Sequence, residues 1–199
     1  MDLYKLQDRL MNESTYWGIK TLKCPIDFWI YSELLYEIRP DLLIEIGNLN
    51  GGSALSFAHI FDNLGKGSVL AIDIDHSNIA NVVREHNRIN LIESDANSCI
   101  DQVSQLVNSE MKILVIEDSS HEFENTLSLL RQYSKFVTKN SYYIVEDTIC
   151  HHGLDVGPKP GPFEAVETFL NSNDDFIADK SCENFGITWN PNGYLKKIS

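Results

Sequence analysis

The sequence predicts an α/β fold, a mostly parallel seven-stranded sheet with helices on both faces, Rossmann-like and closed by a C-terminal antiparallel hairpin. Two observations predict it. Short apolar runs alternate along the chain with segments of helical periodicity, a pattern that builds parallel pairs covered on both sides. A glycine-rich turn, Gly47-Asn48-Leu49-Asn50-Gly51-Gly52-Ser53, separates the first buried run from the first core helix.

The elements follow in order. Leu42–Ile46 reads as a first buried strand, and Ala54, Phe57, Ala58 and Phe61 then recur at helical spacing. Val69–Ile74 is a second strand and 78–86 a polar helix. Asn90–Ile92 and a helix over 100–107 come next, then a fourth strand at Lys112–Ile116. A helix over 122–137 turns Phe123, Leu127, Leu130 and Val137 inward. Tyr142–Val145 is the fifth strand. Pro162 suits the first turn of a last helix. Asn190-Pro191-Asn192-Gly193, flanked by β-type residues within 186–198, predicts the closing hairpin. Upstream, Ile26–Ile38 predicts a helix lying across the sheet. Residues 1–24 are expected to be an N-terminal arm or lid, and 25–199 a single domain, which the length of 199 residues suits.

Charge narrows the partners. With 29 acidic and 16 basic residues the net charge is −13, a field that repels nucleic acid and anionic membranes. No apolar run is long enough to span a bilayer, and no signal-peptide pattern opens the chain. The four cysteines, Cys24, Cys99, Cys150 and Cys182, are scattered without a C-x-x-C pair. They are expected to be reduced, in a cytoplasmic protein.

Ligands of open α/β sheets bind outside the carboxyl ends of the strands. The turn lacks the G-x-G-x-x-G order of dinucleotide sites, and S-adenosylmethionine, which has no phosphate, fits it better. Gly47, Gly51, Gly52 and Ser53 are the predicted cradle. Glu45 is placed for the cofactor's ammonium, Asp73 for its ribose and Asp95 for its adenine amine, and Ser94 is a further predicted cofactor-binding residue. An NAD(P)-dependent oxidoreductase remains an alternative on the same fold.

The fourth and fifth strands end in Glu117-Asp118-Ser119-Ser120-His121 and Glu146-Asp147-Thr148. On neighbouring strands, Asp118, Glu146 and Asp147 would converge. Crowded carboxylates need a countercharge, and Mg²⁺ prefers such oxygen donors. It would grip a substrate hydroxyl, with His121 as general base. His151 and His152, in a Gly/Pro-rich loop, and Trp17 are weaker substrate-binding candidates. Exposed histidines and a packing anchor explain them equally well.

At these positions the sequence resembles the cephalosporin hydroxylase family of S-adenosylmethionine-dependent class I methyltransferases, which is similar to macrolide sugar O-methyltransferases. The motifs are Trp17-Gly18, Arg39-Pro40-Asp41, Glu45-Ile46-Gly47, Gly51-Gly52-Ser53-Ala54, Ile72-Asp73-Ile74-Asp75, Asp118-Ser119-Ser120-His121, Val145-Glu146-Asp147-Thr148, Gly161-Pro162, Ala165-Val166, Phe169-Leu170, Asn190-Pro191 and Gly193-Tyr194-Leu195, in order over nearly the whole chain. Asn48 departs from the Thr or Ser expected after Gly47. The resemblance implies that Asp118, Glu146 and Asp147 bind Mg²⁺ and that His121 deprotonates a hydroxyl of a sugar, glycan or natural product. It also makes a homo-oligomer an expectation. Iron oxygenase chemistry is not expected, since no histidine has an acid two residues later. A non-catalytic S-adenosylmethionine-binding partner of a biosynthetic enzyme is the alternative from a different class.

Overall fold

The computed structural model describes residues 3–199; positions 1 and 2 of the expected arm lie outside the described residues. Helix α1 (Leu3–Glu13) and a small hairpin, β1 (Thr15–Tyr16) and β2 (Ile19–Lys20), precede α2 (Pro25–Ile38). Proline at the first helical position starts α2, and Arg39, in the left-handed region at φ 50°, ends it. The remaining elements are β3 (Leu42–Ile46), α3 (Gly52–Leu64), β4 (Ser68–Asp73), α4 (Asn81–Arg84), β5 (Ile89–Glu93), α5 (Ile100–Leu106), β6 (Ile113–Glu117), α6 (Phe123–Tyr133), β7 (Tyr142–Val145), α7 (Pro162–Leu170), β8 (Phe176–Ala178) and β9 (Tyr194–Lys197).

The sheet order is β5-β4-β3-β6-β7-β9-β8. Strands β5 to β7 pair in parallel, and β9 pairs antiparallel with both β7 and β8. The predicted seven-stranded architecture is therefore present, with one correction. The first strand of the closing pair is Phe176–Ala178, and residues 186–193 form no strand. The turn at Asn190–Gly193 serves another purpose, described below.

Side chains alternate between the two faces along each strand. Ile44, Ile46, Val115, Tyr143 and Val145 pack with helices α5, α6 and α7. Leu43, Leu114, Ile116 and Ile144 pack with α2 and α3 on the other face. Register matters for the site, because Glu45 pairs with Ile116 across β3 and β6. Two residues on from Ile116 lies Asp118, and two on from Ile144 lies Glu146. Glu45, Asp118 and Glu146 thus point to the α2 face.

The N-terminal arm is docked. Leu10 of α1 is buried with Cys24, Ile149, Leu154 and Trp189 in a third apolar cluster. All four cysteines are free and buried. Among the described residues no helix is long and apolar enough to cross a membrane.

Candidate active site

A cavity of about 610 Å³ opens at the carboxyl ends of the parallel strands. Gly47, Gly52, Ser53, Asp73, Ser94 and Asp95 line one side, all of them predicted cofactor residues. Two other predicted members are not in the lining. Gly51 packs under the turn, where a Cβ would meet the Val83 and Ile79 side chains. Glu45 is fully buried, and neither of its oxygens makes a hydrogen bond. Burial pushes its carboxyl up to about 7, against the pull of the nearby Lys23.

The turn is built by its neighbours. Gly47 sits at φ +81°, and a Cβ there would lie 2.0 Å from the Asp118 carbonyl oxygen. Only glycine allows both the dihedral and the close approach. Asp73 Oδ2 accepts hydrogen bonds from the Asn48 and Leu49 amides at 2.9 and 2.8 Å. That carboxylate shapes the turn as well as facing the cavity. The unusual Asn48 is buried, and its Oδ1 meets His76 Nε2 at 3.2 Å. Asp95 Oδ1 accepts from the Asn97 amide at 2.9 Å.

Asp118, His121 and Asp147 line the same cavity, directly beside the glycine turn. One ligand atom from each lies within 4.8 Å of the others, a spacing that suits one metal ion. His121 Nε2 is 3.1 Å from Asp118 Oδ1 and 3.5 Å from Asp147 Oδ2. Burial lowers the affinity of His121 for a proton. The Asp118 bond and the charges of Asp147, Asp118 and Glu117 outweigh it, carrying the imidazole up to about 9. Burial raises Asp147 to about 6 in spite of His121. Asp118 is held below the usual carboxylate range because Lys23 and His121 outweigh its burial. His121 and Asp147 both occupy the left-handed region, at φ 59° and 57°. Strained backbone of this kind persists where the surroundings dictate it.

Glu146, the third predicted acid, stands apart from this trio. It is buried, and its Oε1 accepts from Lys23 Nζ at 2.5 Å. Burial and the Asp118 charge hold its carboxyl well above the ordinary range. The same ammonium donates to Asp118 Oδ2 at 2.5 Å and lies 3.7 Å from Glu45 Oε1. Lys23 was not among the residues the sequence singled out. Its only local signal is a lysine between apolar Leu22 and the Cys24-Pro25 helix start. Asn190 was read as a turn residue. Its Oδ1 accepts the Asp147 amide at 2.9 Å, and its Nδ2 donates to Tyr31 at 2.6 Å, so it seats Asp147.

Three further candidates fall outside the cavity lining. His151 binds Asp155 and the Gly157 carbonyl, and His152 stacks on Phe163 and pairs with Glu164. His151 staples its own loop, and His152 ties that loop to α7. Trp17 is 76% exposed and packs beside His59. The arm reaches the site instead through Met11 and the segment Lys20–Lys23, which line the cavity.

The sheet order and the cavity at its carboxyl ends define a class I methyltransferase fold. The rhamnosyl O-methyltransferase/CmcI family model matches residues 8–198. The chain belongs to this family and is of the O-methyltransferase class. It is 36% identical over 192 residues to the rhamnosyl O-methyltransferase of Mycobacterium leprae, covering 92% of this chain and 83% of that protein. The Mycobacterium tuberculosis rhamnosyl O-methyltransferase is 34% identical over 190 residues, covering 92% and 78%. A CmcI structure with Mg and SAM superposes with a TM-score of 0.74 at 22% identity, over 94% of this chain and 77% of that one. That likeness shows the shared fold.

Proposed function

We propose that this chain moves a methyl group from S-adenosylmethionine to a sugar hydroxyl, with a divalent cation such as Mg²⁺ held by Asp118 and Asp147 beside His121. The observation that carries this reading is that Asp118, His121 and Asp147 cluster in the lining of the cavity that the glycine turn also lines. A rhamnosyl unit is the favoured acceptor, since the curated relatives are rhamnosyl O-methyltransferases.

The residues present fit both groups. Asp118 and Asp147 are hard oxygen donors in reach of one ion. The cavity exposes Asp73 and Asp95, acceptors for hydroxyl and amine groups, beside the close backbone of Gly47 and Gly52. Glu146, the third acid that the sequence assigned to the cation, is held on Lys23 behind Asp118. When bound, the cation supplies charge that grips the acceptor oxygen and offsets the carboxylates that keep His121 protonated.

His121 is the base. With its proton on Nε2, 3.1 Å from Asp118 Oδ1, the imidazole would keep Nδ1 for the acceptor proton. The acceptor oxygen then bonds to the methyl carbon as the carbon–sulfur bond breaks and its electron pair stays on sulfur. The turn and the acids belong to one rigid sheet end, so orientation supplies much of the acceleration. Met11 and Lys20–Lys23 line the cavity as well, which supports a lid role for the arm.

The test is S-adenosylhomocysteine release with a synthetic rhamnoside, in EDTA and after Mg²⁺ is restored. Release that depends on Mg²⁺ is expected. Full activity in EDTA would sink the cation role. Cofactor binding without turnover on any glycoside would favour a non-catalytic partner.

A further inference from the structure

Lys23 is 6% exposed, and a buried ammonium is costly unless it is paired. Its partners are acids from two strand ends, Asp118 and Glu146, with Glu45 from a third close by.

The ammonium could act as a competitor for the divalent cation or as a support for its ligands. Geometry decides between them. A competitor would sit between the carboxylate oxygens of Asp118 and Asp147 that face His121. Lys23 instead binds Asp118 Oδ2, the oxygen turned from His121, and bridges it to Glu146. Asp118 Oδ1 is thereby left facing His121, beside Asp147. Position along the chain supports the same view, since Lys23 immediately precedes the Cys24 cap of α2 and is fixed from that helix start.

We propose that Lys23 is a positioning residue: it clamps Asp118 and Glu146 so that Asp118 Oδ1 is presented to the cation, and it stays clamped when the cation binds. This rests on the divalent-cation reading above. Removing a supporting partner of a metal ligand lowers metal affinity about 10- to 100-fold, whereas removing a competitor raises it.

Mn²⁺ is the probe, its free concentration read by electron paramagnetic resonance, with S-adenosylhomocysteine binding followed by calorimetry. In K23M the Mn²⁺ Kd is expected to rise at least about tenfold while S-adenosylhomocysteine affinity stays near wild type. Unchanged or tighter Mn²⁺ binding overturns the proposal, as does a parallel loss of both ligands. Wild-type protein that binds no Mn²⁺ overturns the cation reading itself, a distinguishable failure. Should K23M not fold, the wild type supplies the answer through reductive methylation read by mass spectrometry. Lys23 is expected to stay unmodified with and without saturating Mn²⁺. Modification that rises with Mn²⁺ means that the ion displaces the ammonium, and overturns the proposal.

Discussion

Substituting Gly47 by alanine tests whether the glycine turn and the acidic wall are one mechanical unit. The new Cβ would stand 2.0 Å from the Asp118 carbonyl oxygen and 2.9 Å from Ser119 Cα. An ordinary carbon–oxygen contact is about 3.3 Å, so the chains must part by about 1.3 Å. Both neighbours are backbone, and no side-chain rotation relieves them. Alanine at φ +81° adds roughly 1–2 kcal/mol of dihedral strain, and overpacking adds about 1–3 kcal/mol. The expected loss is therefore about 2–5 kcal/mol. Gly65→Ala is the control, because Gly65 shares a positive φ of +73° but a Cβ there meets nothing within 4 Å. It should lose only the dihedral part, roughly 1–2 kcal/mol. Displacing Asp118 by about 1 Å also disturbs His121 and Lys23, so turnover of G47A should fall about a hundredfold, with G65A unaffected. Urea unfolding gives the stabilities and S-adenosylhomocysteine release the rates. G47A as stable as G65A, or turning over within a few-fold of wild type, would refute the coupling.

His121→Ala should lower kcat about 10²- to 10⁴-fold, with S-adenosylhomocysteine affinity retained in calorimetry. In EDTA, His121 also makes a pH signature. Its folded pKa of about 9 exceeds the unfolded value near 6.5, so its stabilising effect is complete below about 6.5 and is lost as pH rises through about 9. Wild type should thus lose its advantage over H121A across that window, by about 3 kcal/mol, in unfolding curves at stepped pH. Asp73→Ala removes the acceptor for two turn amides. It should weaken S-adenosylmethionine binding at least tenfold, by about 1.5–3 kcal/mol, and normal affinity would show that the turn holds itself. His152→Ala should leave turnover within twofold of wild type and cost at most about 1 kcal/mol, because His152 only stacks on Phe163 and pairs with Glu164.

Much of this molecule was legible because its signals are local. Leu42–Ile46 and Tyr142–Val145 are unbroken apolar runs, and runs of that kind are read correctly when both faces of a strand are buried. The acids that follow the strands were placed by the same reading, since a strand end fixes the next residue. What escaped depends on distant partners. Lys23 looks like any lysine until strand register brings Asp118 and Glu146 beneath it. Asn190-Pro191-Asn192-Gly193 carries strong turn chemistry, but Asn190 is spent on the Asp147 amide, and β9 finds Phe176–Ala178 as its partner. His151 and His152 were read from loop composition, which does not reveal that Asp155 and Glu164 lie within reach. Glu45 was assigned by its place before the turn. Alternation buried it, a consequence of the pleat rather than of the motif.

The Lys23 clamp also bears on how the chain assembles. It joins residues 95 and 123 positions apart, and the acids it serves cannot share one sheet edge comfortably without it. Long-range closures of this kind are entropically slow. A chain whose parallel strands pair first would bring these acids together before the N-terminal segment supplies Lys23. A refolding experiment should see the sheet appear before the cation site does. Any lesion that delays docking of the arm should expose a chain whose core is formed and whose chemistry is not.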